Sequence, residues 1–156
     1  MWATLYQRTD GGSVMAEKIV WNYHVDGDDL AQAGEASSKM KMALRKLGLP
    51  ADVIRRAAIC MYEGEINMVI HACGGEVRVE VGMDEIELTL TDVGPGIEDI
   101  DRAMEEGYST AGDVARDLGF GAGMGLPNMK RYSDEMTVES TVGVGTTVRM
   151  KIGIGG

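Results

Sequence analysis

The chain has only two cysteines, Cys60 and Cys73, too few to staple a small secreted fold. Both fall within or just after a helical pattern, where buried free thiols occur, and a reducing cytoplasm is the expected compartment. Long apolar runs are absent too, since none approaches the roughly 18 residues of a membrane span. The opening MWATLYQRTDGG carries Arg8 and Asp10 where a signal peptide needs an apolar stretch. Neither export nor membrane insertion is expected. Basic residues are scarce beside acidic ones, 15 against 25, for a formal net charge of −10. Such a chain repels a phosphate backbone, which argues against DNA or RNA as a partner. A bound polyphosphate would need a local device to hold it, either a divalent cation or backbone amides.

What is present suits one globular domain: 156 residues, of which 44% are hydrophobic. Met15 begins MAEKIVWNYHV, a more natural domain start than Met1, so residues 1–16 are expected to be a disordered extension or tag and 17–153 a single domain. Ile19, Trp21, Tyr23 and Val25 alternate with mostly polar neighbours, the pattern of a strand with one buried face. Asp28 or Asp29 can cap a helix whose apolar positions Leu30, Ala33, Met40, Leu44 and Leu47 follow spacings of three and four, and Gly48 and Pro50 end it. A second helix runs from about Ala51 to Cys73 and stops at Gly74-Gly75.

Val77, Val79 and Val81, a turn at Gly82 to Asp84, then Ile86, Leu88 and Leu90 form a hairpin pattern. From Val93 to Gly123 strand periodicity is lost around one short helical piece, Ile97 to Glu106; a loop of that length is usually functional. A third helix, about Met124 to Tyr132, leads into strands Met136 to Ser140 and Thr146 to Ile152, joined by a turn at 142–145. The order predicts an α/β two-layer sandwich, with a mixed, mostly antiparallel sheet covered on one face by about three helices. Twelve methionines are present, and Met40, Met61, Met68 and Met129 hold apolar helical positions where Met fills a core.

Glu63, Asn67 and His71 lie four apart along the second helix and share one stripe. A carboxylate there could take a proton from an attacking hydroxyl, and an amide oxygen is a suitable hard ligand for magnesium. A solvated polar helix face reads equally from the same spacing. Asp92 has the parity of Ile86, Leu88 and Leu90, so it should point inward and need a donor. The exocyclic amino group of adenine would serve where the acceptor oxygen of guanine would not, while an Asp capping the turn before Gly94-Pro95-Gly96 is the bland alternative. Gly119, Gly121, Gly123 and Gly125 alternate before a helix, which lets backbone amides approach an anion. A dinucleotide fold would need a strand directly before those glycines, and a polar loop stands there instead. Cys60, His71 and Cys73 lack the spacing of a zinc site.

In order, Glu63-x-x-x-Asn67, Asp92-Val-Gly94-Pro-Gly96-Ile97, Gly121-Ala-Gly123-Met-Gly125-Leu126 and Gly143-Val-Gly145-Thr146-Thr147 resemble the GHKL ATP-binding superfamily of gyrase, histidine kinases and MutL. Over about residues 17–152 the chain is most similar to the anti-sigma-factor and switch serine/threonine kinases of bacterial partner-switching modules. The resemblance implies a Bergerat-type ATP-binding fold with ATP and magnesium as cofactors. It also implies roles: Glu63 activating the attacking hydroxyl, Asn67 coordinating magnesium, Asp92 selecting adenine, Gly94, Gly96 and Ile97 bordering the base, Gly121, Gly123, Gly125 and Leu126 in the phosphate loop, and Thr146 supporting the adenine end. Residues 98–122 would form the ATP lid, and Arg116, Lys130 or Arg131 would help neutralise phosphate. The implied partners are a STAS-type anti-anti-sigma protein and a sigma factor, with a homodimer as the implied assembly. A non-catalytic ATP-dependent module that sequesters a sigma factor, or a simple ATPase, would use the same pocket. A histidine autokinase is disfavoured, because His24 falls in a strand and His71 on the pocket helix.

Overall fold

The computed structural model describes residues 2–9, 13–105 and 125–155, with side chains described from Lys18 onward. Six strands form one sheet in the order β1-β2-β3-β4-β6-β5, from β1 (Trp2–Thr9), β2 (Ser13–Asp26), β3 (Gly74–Val81), β4 (Glu85–Asp92), β5 (Glu135–Thr141) and β6 (Gly145–Gly153). Every pairing is antiparallel, where the sequence order suggests a mixed, mostly antiparallel sheet. The reason lies in the connection from β2 to β3, which carries two long helices rather than one. The chain therefore goes out and back, re-entering the sheet where it left, with Gly74 paired to Asp26.

Those helices are α1 (Glu35–Lys46) and α2 (Ala51–His71); α3 (Ile100–Ala103) and α4 (Gly125–Tyr132) follow. Register aligns the apolar side chains into rows across the sheet. Trp21, Val79, Leu88, Met150 and Met136 form one row, and Tyr23, Val77, Leu90, Val148 and Val138 the next. The helices cover these rows, and Met40, Leu44, Met61 and Met129 fill the space between with no exposed surface. Removing such a side chain from water is worth about 2 kcal/mol. The opposite face carries polar pairs, across β2 and β3 from His24 Nδ1 to Glu76 Oε1 at 2.6 Å and along β3 from Arg78 Nε to Glu80 Oε1 at 2.8 Å. This is a two-layer α/β sandwich with one face open. Among the described residues, no helix is long and apolar enough to cross a membrane.

Two expectations from the sequence are corrected. Residues 1–16, expected to lie outside the fold, include β1, whose backbone pairs with β2 from Trp2–Val20 to Thr9–Ser13. An edge strand joins through main-chain hydrogen bonds and needs no apolar pattern of its own. The first helix, expected to start after Asp28 or Asp29, begins only at Glu35. Asp29 instead caps a 3-10 turn at Leu30–Gln32, and Gly34 interrupts the helix with φ 98°. The cause is a buried carboxylate on α2. Glu65, 2% exposed, accepts hydrogen bonds from the backbone N–H groups of Gly34, Ala36 and Ser37 at 2.9, 3.1 and 3.0 Å. Three donors that a helix start leaves unsatisfied thus have a charged acceptor from the neighbouring helix.

Candidate functional site

The face of α2 turned toward α4 presents Glu63 and Asn67. Its packing there depends on Gly64, where a Cβ would collide with Leu90 and come within 3.7 Å of Met129 Sδ. α4 begins at Gly125, directly over Asn67: a Cβ on Gly125 would lie 3.0 Å from both the oxygen and the nitrogen of the Asn67 amide. One turn further along α4, Asn128 Nδ2 donates to Glu63 Oε1 at 3.3 Å. A carboxylate, two amides and a helix N-terminus are thereby gathered where α2 meets α4. Leu126 sends its side chain into the core, which leaves its backbone as the part that can face a ligand. Lys130 and Arg131 lie in the last turn of α4, at the end away from Gly125.

A second cluster forms where β4 ends beside the β5–β6 turn. Asp92 Oδ1 accepts the backbone N–H of Thr146 at 2.9 Å. Burial raises the Asp92 carboxyl above its ordinary value, and the Thr146 N–H offsets part of the rise. Close approach of the two chains requires Gly145, because a Cβ there would fall on the Asp92 carbonyl oxygen. Gly94 N–H donates to Val144 O at 3.2 Å and Gly143 N–H to Pro95 O at 2.9 Å, so the Asp92–Ile97 segment and the turn are laced together. Ser140 completes the cluster. Its Oγ accepts Ile97 N–H at 2.7 Å and lies 2.8 Å from Thr146 Oγ1 and 3.2 Å from Gly145 O. Thr146 is 7% exposed, among the few buried polar residues.

The two clusters are joined by the last turns of α2. Ala72, its C-cap, abuts Gly94, where a Cβ would lie 2.8 Å from Ala72 Cβ. From Glu63 to Ala72 is nine residues, on the order of 13 Å of helix rise. One end thus offers a carboxylate and a hard amide oxygen, the donor set that suits a proton acceptor and a magnesium ligand. The other offers a half-buried carboxylate with Thr146 as its one hydrogen-bond partner among the described residues, which suits a ligand donor group. His71, the third member of the stripe, is partly buried, and burial lowers its pKa toward the neutral imidazole. Among the described residues no three His, Cys, Asp or Glu side chains group in a way that could hold a metal ion.

Of the residues singled out in the sequence, Glu63, Asn67 and Gly125 come together at one end and Asp92, Gly94, Gly96, Ile97 and Thr146 at the other. Gly119, Gly121 and Gly123, Arg116 and most of the segment 98–122 lie outside the described residues. Three participants escape sequence reading: Asn128, Ser140 and Glu65. Ser140 lies three residues before the Gly143-to-Thr147 motif, but nothing local marks its partners.

Residues 28–152 match the family model for the histidine kinase-like ATPase domain. The chain is 36% identical over 109 residues to the serine/threonine-protein kinase RsbT of Bacillus subtilis (strain 168), covering 67% of this chain and 76% of that protein. It is 38% identical over 125 residues to the anti-sigma F factor of Clostridium botulinum (strain Eklund 17B / Type B), covering 75% and 84% respectively. With the anti-sigma F factor of Bacillus velezensis (strain DSM 23117 / BGSC 10A6 / LMG 26770 / FZB42) the identity is 27% over 135 residues, covering 81% and 88%.

Proposed function

Because the chain belongs to the histidine kinase-like ATPase domain family, we propose that it is an ATP-dependent serine/threonine kinase of the anti-sigma-factor type, acting on a STAS-type regulatory protein in the cytoplasm. A sigma factor is the further partner that such a switch implies. The observation that carries the reading is the pairing of Glu63 and Asn67 on α2 with Asn128 and Gly125 on α4.

In this reading Asp92 accepts the adenine amino group, and Gly94, Gly96 and Ile97 border the base. Asn67 Oδ1 would be one ligand of magnesium, which leaves most of that ion's shell to water and phosphate oxygens. The ATP–magnesium pair supplies the phosphoryl group and the neutralisation of its charge. The chain's own chemical contribution is at Glu63. Asn128 holds Oε1 and, among the described residues, Oε2 has no hydrogen-bond partner; Oε2 would take the proton of the partner's hydroxyl as that oxygen bonds to the terminal phosphorus and the bond to ADP breaks.

The test is transfer of terminally labelled phosphate from ATP, with magnesium, to candidate STAS-type proteins. The wild type is expected to label a serine or threonine of the partner, and Glu63→Ala to bind ATP without labelling. A wild-type chain that binds ATP and labels no partner would replace the kinase with a non-catalytic ATP-dependent binding module. Phosphate release independent of any partner would indicate a simple ATPase.

A further inference from the structure

One stripe of α2 meets α4 in antiparallel order. Arg56 Nε donates to Tyr132 O at 3.2 Å, Cys60 Sγ lies 3.7 Å from Met129 O, Glu63 Oε1 accepts the Asn128 amide at 3.3 Å, and Gly125 stands over Asn67. These contacts are unequal. The Asn128–Glu63 bond is long and a thiol is a weak donor, so neither decides how far along α2 the eight-residue α4 sits. Arg56 is different. Its Nη2 also donates to Asp134 Oδ1 at 2.8 Å, a charged pair in which the arginine side chain is only 21% exposed. Tyr132 O, at the last residue of α4, has no helical N–H to accept, and the guanidinium lies at the negative end of that helix. Asp134 is itself fixed to the sheet, its Oδ2 accepting Gly153 N–H at 2.6 Å and its own N–H donating to Lys151 O at 2.8 Å. A guanidinium donates both bonds from a rigid fork, which sets direction as well as distance. Thus α2, the end of α4 and β6 are tied at one side chain, which precedes Glu63 by on the order of 10 Å of helix rise.

We infer that Arg56 is a positioning residue for phosphoryl transfer: its fork sets the axial position of α4 on α2, which places Asn128 against Glu63 and keeps that carboxylate aimed at the attacking hydroxyl. The inference rests on the reading of Glu63 as proton acceptor given above, and adds the residue that holds the acceptor's partner in place. A slip of one helical residue is about 1.5 Å, enough to break a hydrogen bond that already spans 3.3 Å. Asn67 and Asp92 belong to α2 and β4 and keep their places when α4 shifts. The chemical step therefore depends on Arg56 more than nucleotide binding does.

The measurement is a double-mutant cycle on the full chain, read in steady-state transfer of labelled phosphate from ATP, with magnesium, to the STAS-type protein that wild type labels. Arg56→Ala is expected to lower kcat about tenfold, as loss of the Asn128 contact would, and to leave KM for ATP within about twofold. In an Asn128→Ala background the same substitution should lower kcat no further, because the two residues act through one contact. Arg56→Lys keeps the charge without the fork and covers the case in which Arg56→Ala does not fold. Its smaller loss of kcat should vanish in the same background. A merely structural role would lower the unfolding temperature and leave kcat per folded molecule unchanged. An unchanged kcat in the Arg56 variants, or losses that multiply to about a hundredfold when Arg56→Ala and Asn128→Ala are combined, overturns the inference and leaves the kinase reading standing. A wild type that binds ATP and labels no partner overturns the kinase reading and the inference with it.

Discussion

Asn128 donates its side-chain amide to Glu63 Oε1 across the α2–α4 junction, at 3.3 Å. The contact joins the proposed proton acceptor to the helix that begins over Asn67. Asn128→Ala should leave Glu63 free to rotate away from the attacking hydroxyl. The expected result is a kcat lower by about tenfold with little change in ATP affinity, since an orienting contact of this kind acts mainly on the chemical step. Steady-state phosphorylation kinetics with a STAS-type partner check it, and a loss confined to KM would contradict the assignment.

Asp92 couples pH to binding and to stability in opposite senses. Burial raises its carboxyl above 3.8, so the folded chain holds that proton more tightly than the unfolded one. The stability this contributes is complete below 3.8 and is lost as pH rises through the higher folded value. At neutral pH the buried charge is therefore a cost to folding. Asp92→Asn should unfold at the same temperature as wild type or higher at pH 7, yet bind ATP about a hundredfold more weakly, having lost a charged acceptor. Wild-type affinity for ATP should begin to weaken on acidification above the pH at which an ordinary aspartate titrates, and the variant should not show that dependence. Calorimetry across pH measures both, and ATP binding by Asp92→Asn as tight as wild type would remove Asp92 from base recognition.

Glu65 is a stability residue two positions from the proposed proton acceptor. Glu65→Ala leaves the N–H groups of Gly34, Ala36 and Ser37 without their buried acceptor. A loss of about 3 kcal/mol is expected in urea unfolding. Glu65→Gln retains one acceptor oxygen and should lose less. A Glu65→Ala variant as stable as wild type would show that water satisfies those amides.

The two cysteines should respond differently to a thiol reagent. Cys60 is fully buried, its Sγ 3.7 Å from Met129 O, and burial pushes its thiol up to about 12, which suppresses the reactive thiolate. Cys73 is exposed. One equivalent should label in the native chain, at Cys73, and two in denaturant, as read by mass spectrometry after digestion. Rapid native labelling of Cys60 would show that the α2–α4 junction opens.

Elements whose side chains alternate or recur with a clean period were legible in the sequence. The β3–β4 hairpin and α2 fall within three residues of the expected bounds, because Val77, Val79 and Val81 and the apolar stripe of α2 report their own burial. The start of α1 did not report itself. Apolar spacing runs back through Leu30 and Ala33, but the break at Gly34 is set by Glu65, 31 residues away. The antiparallel sense of the β2–β3 pair was hidden in the same way, since it depends on α1 and α2 packing as an out-and-back pair.

At the candidate site, the sequence by itself determined which chemical groups are present and in what order: a carboxylate and an amide four apart on one helix, an inward aspartate at a strand end, and glycines where chains come close. Period and parity are local properties, so a local pattern can carry them. Only the tertiary structure decided which groups meet. Asn128 reaches Glu63 across 65 residues, Thr146 reaches Asp92 across 54, and Ser140 reaches Ile97 across 43. Those separations close through strand register and helix packing, which sum many weak contacts along the whole chain, and no short segment contains that information.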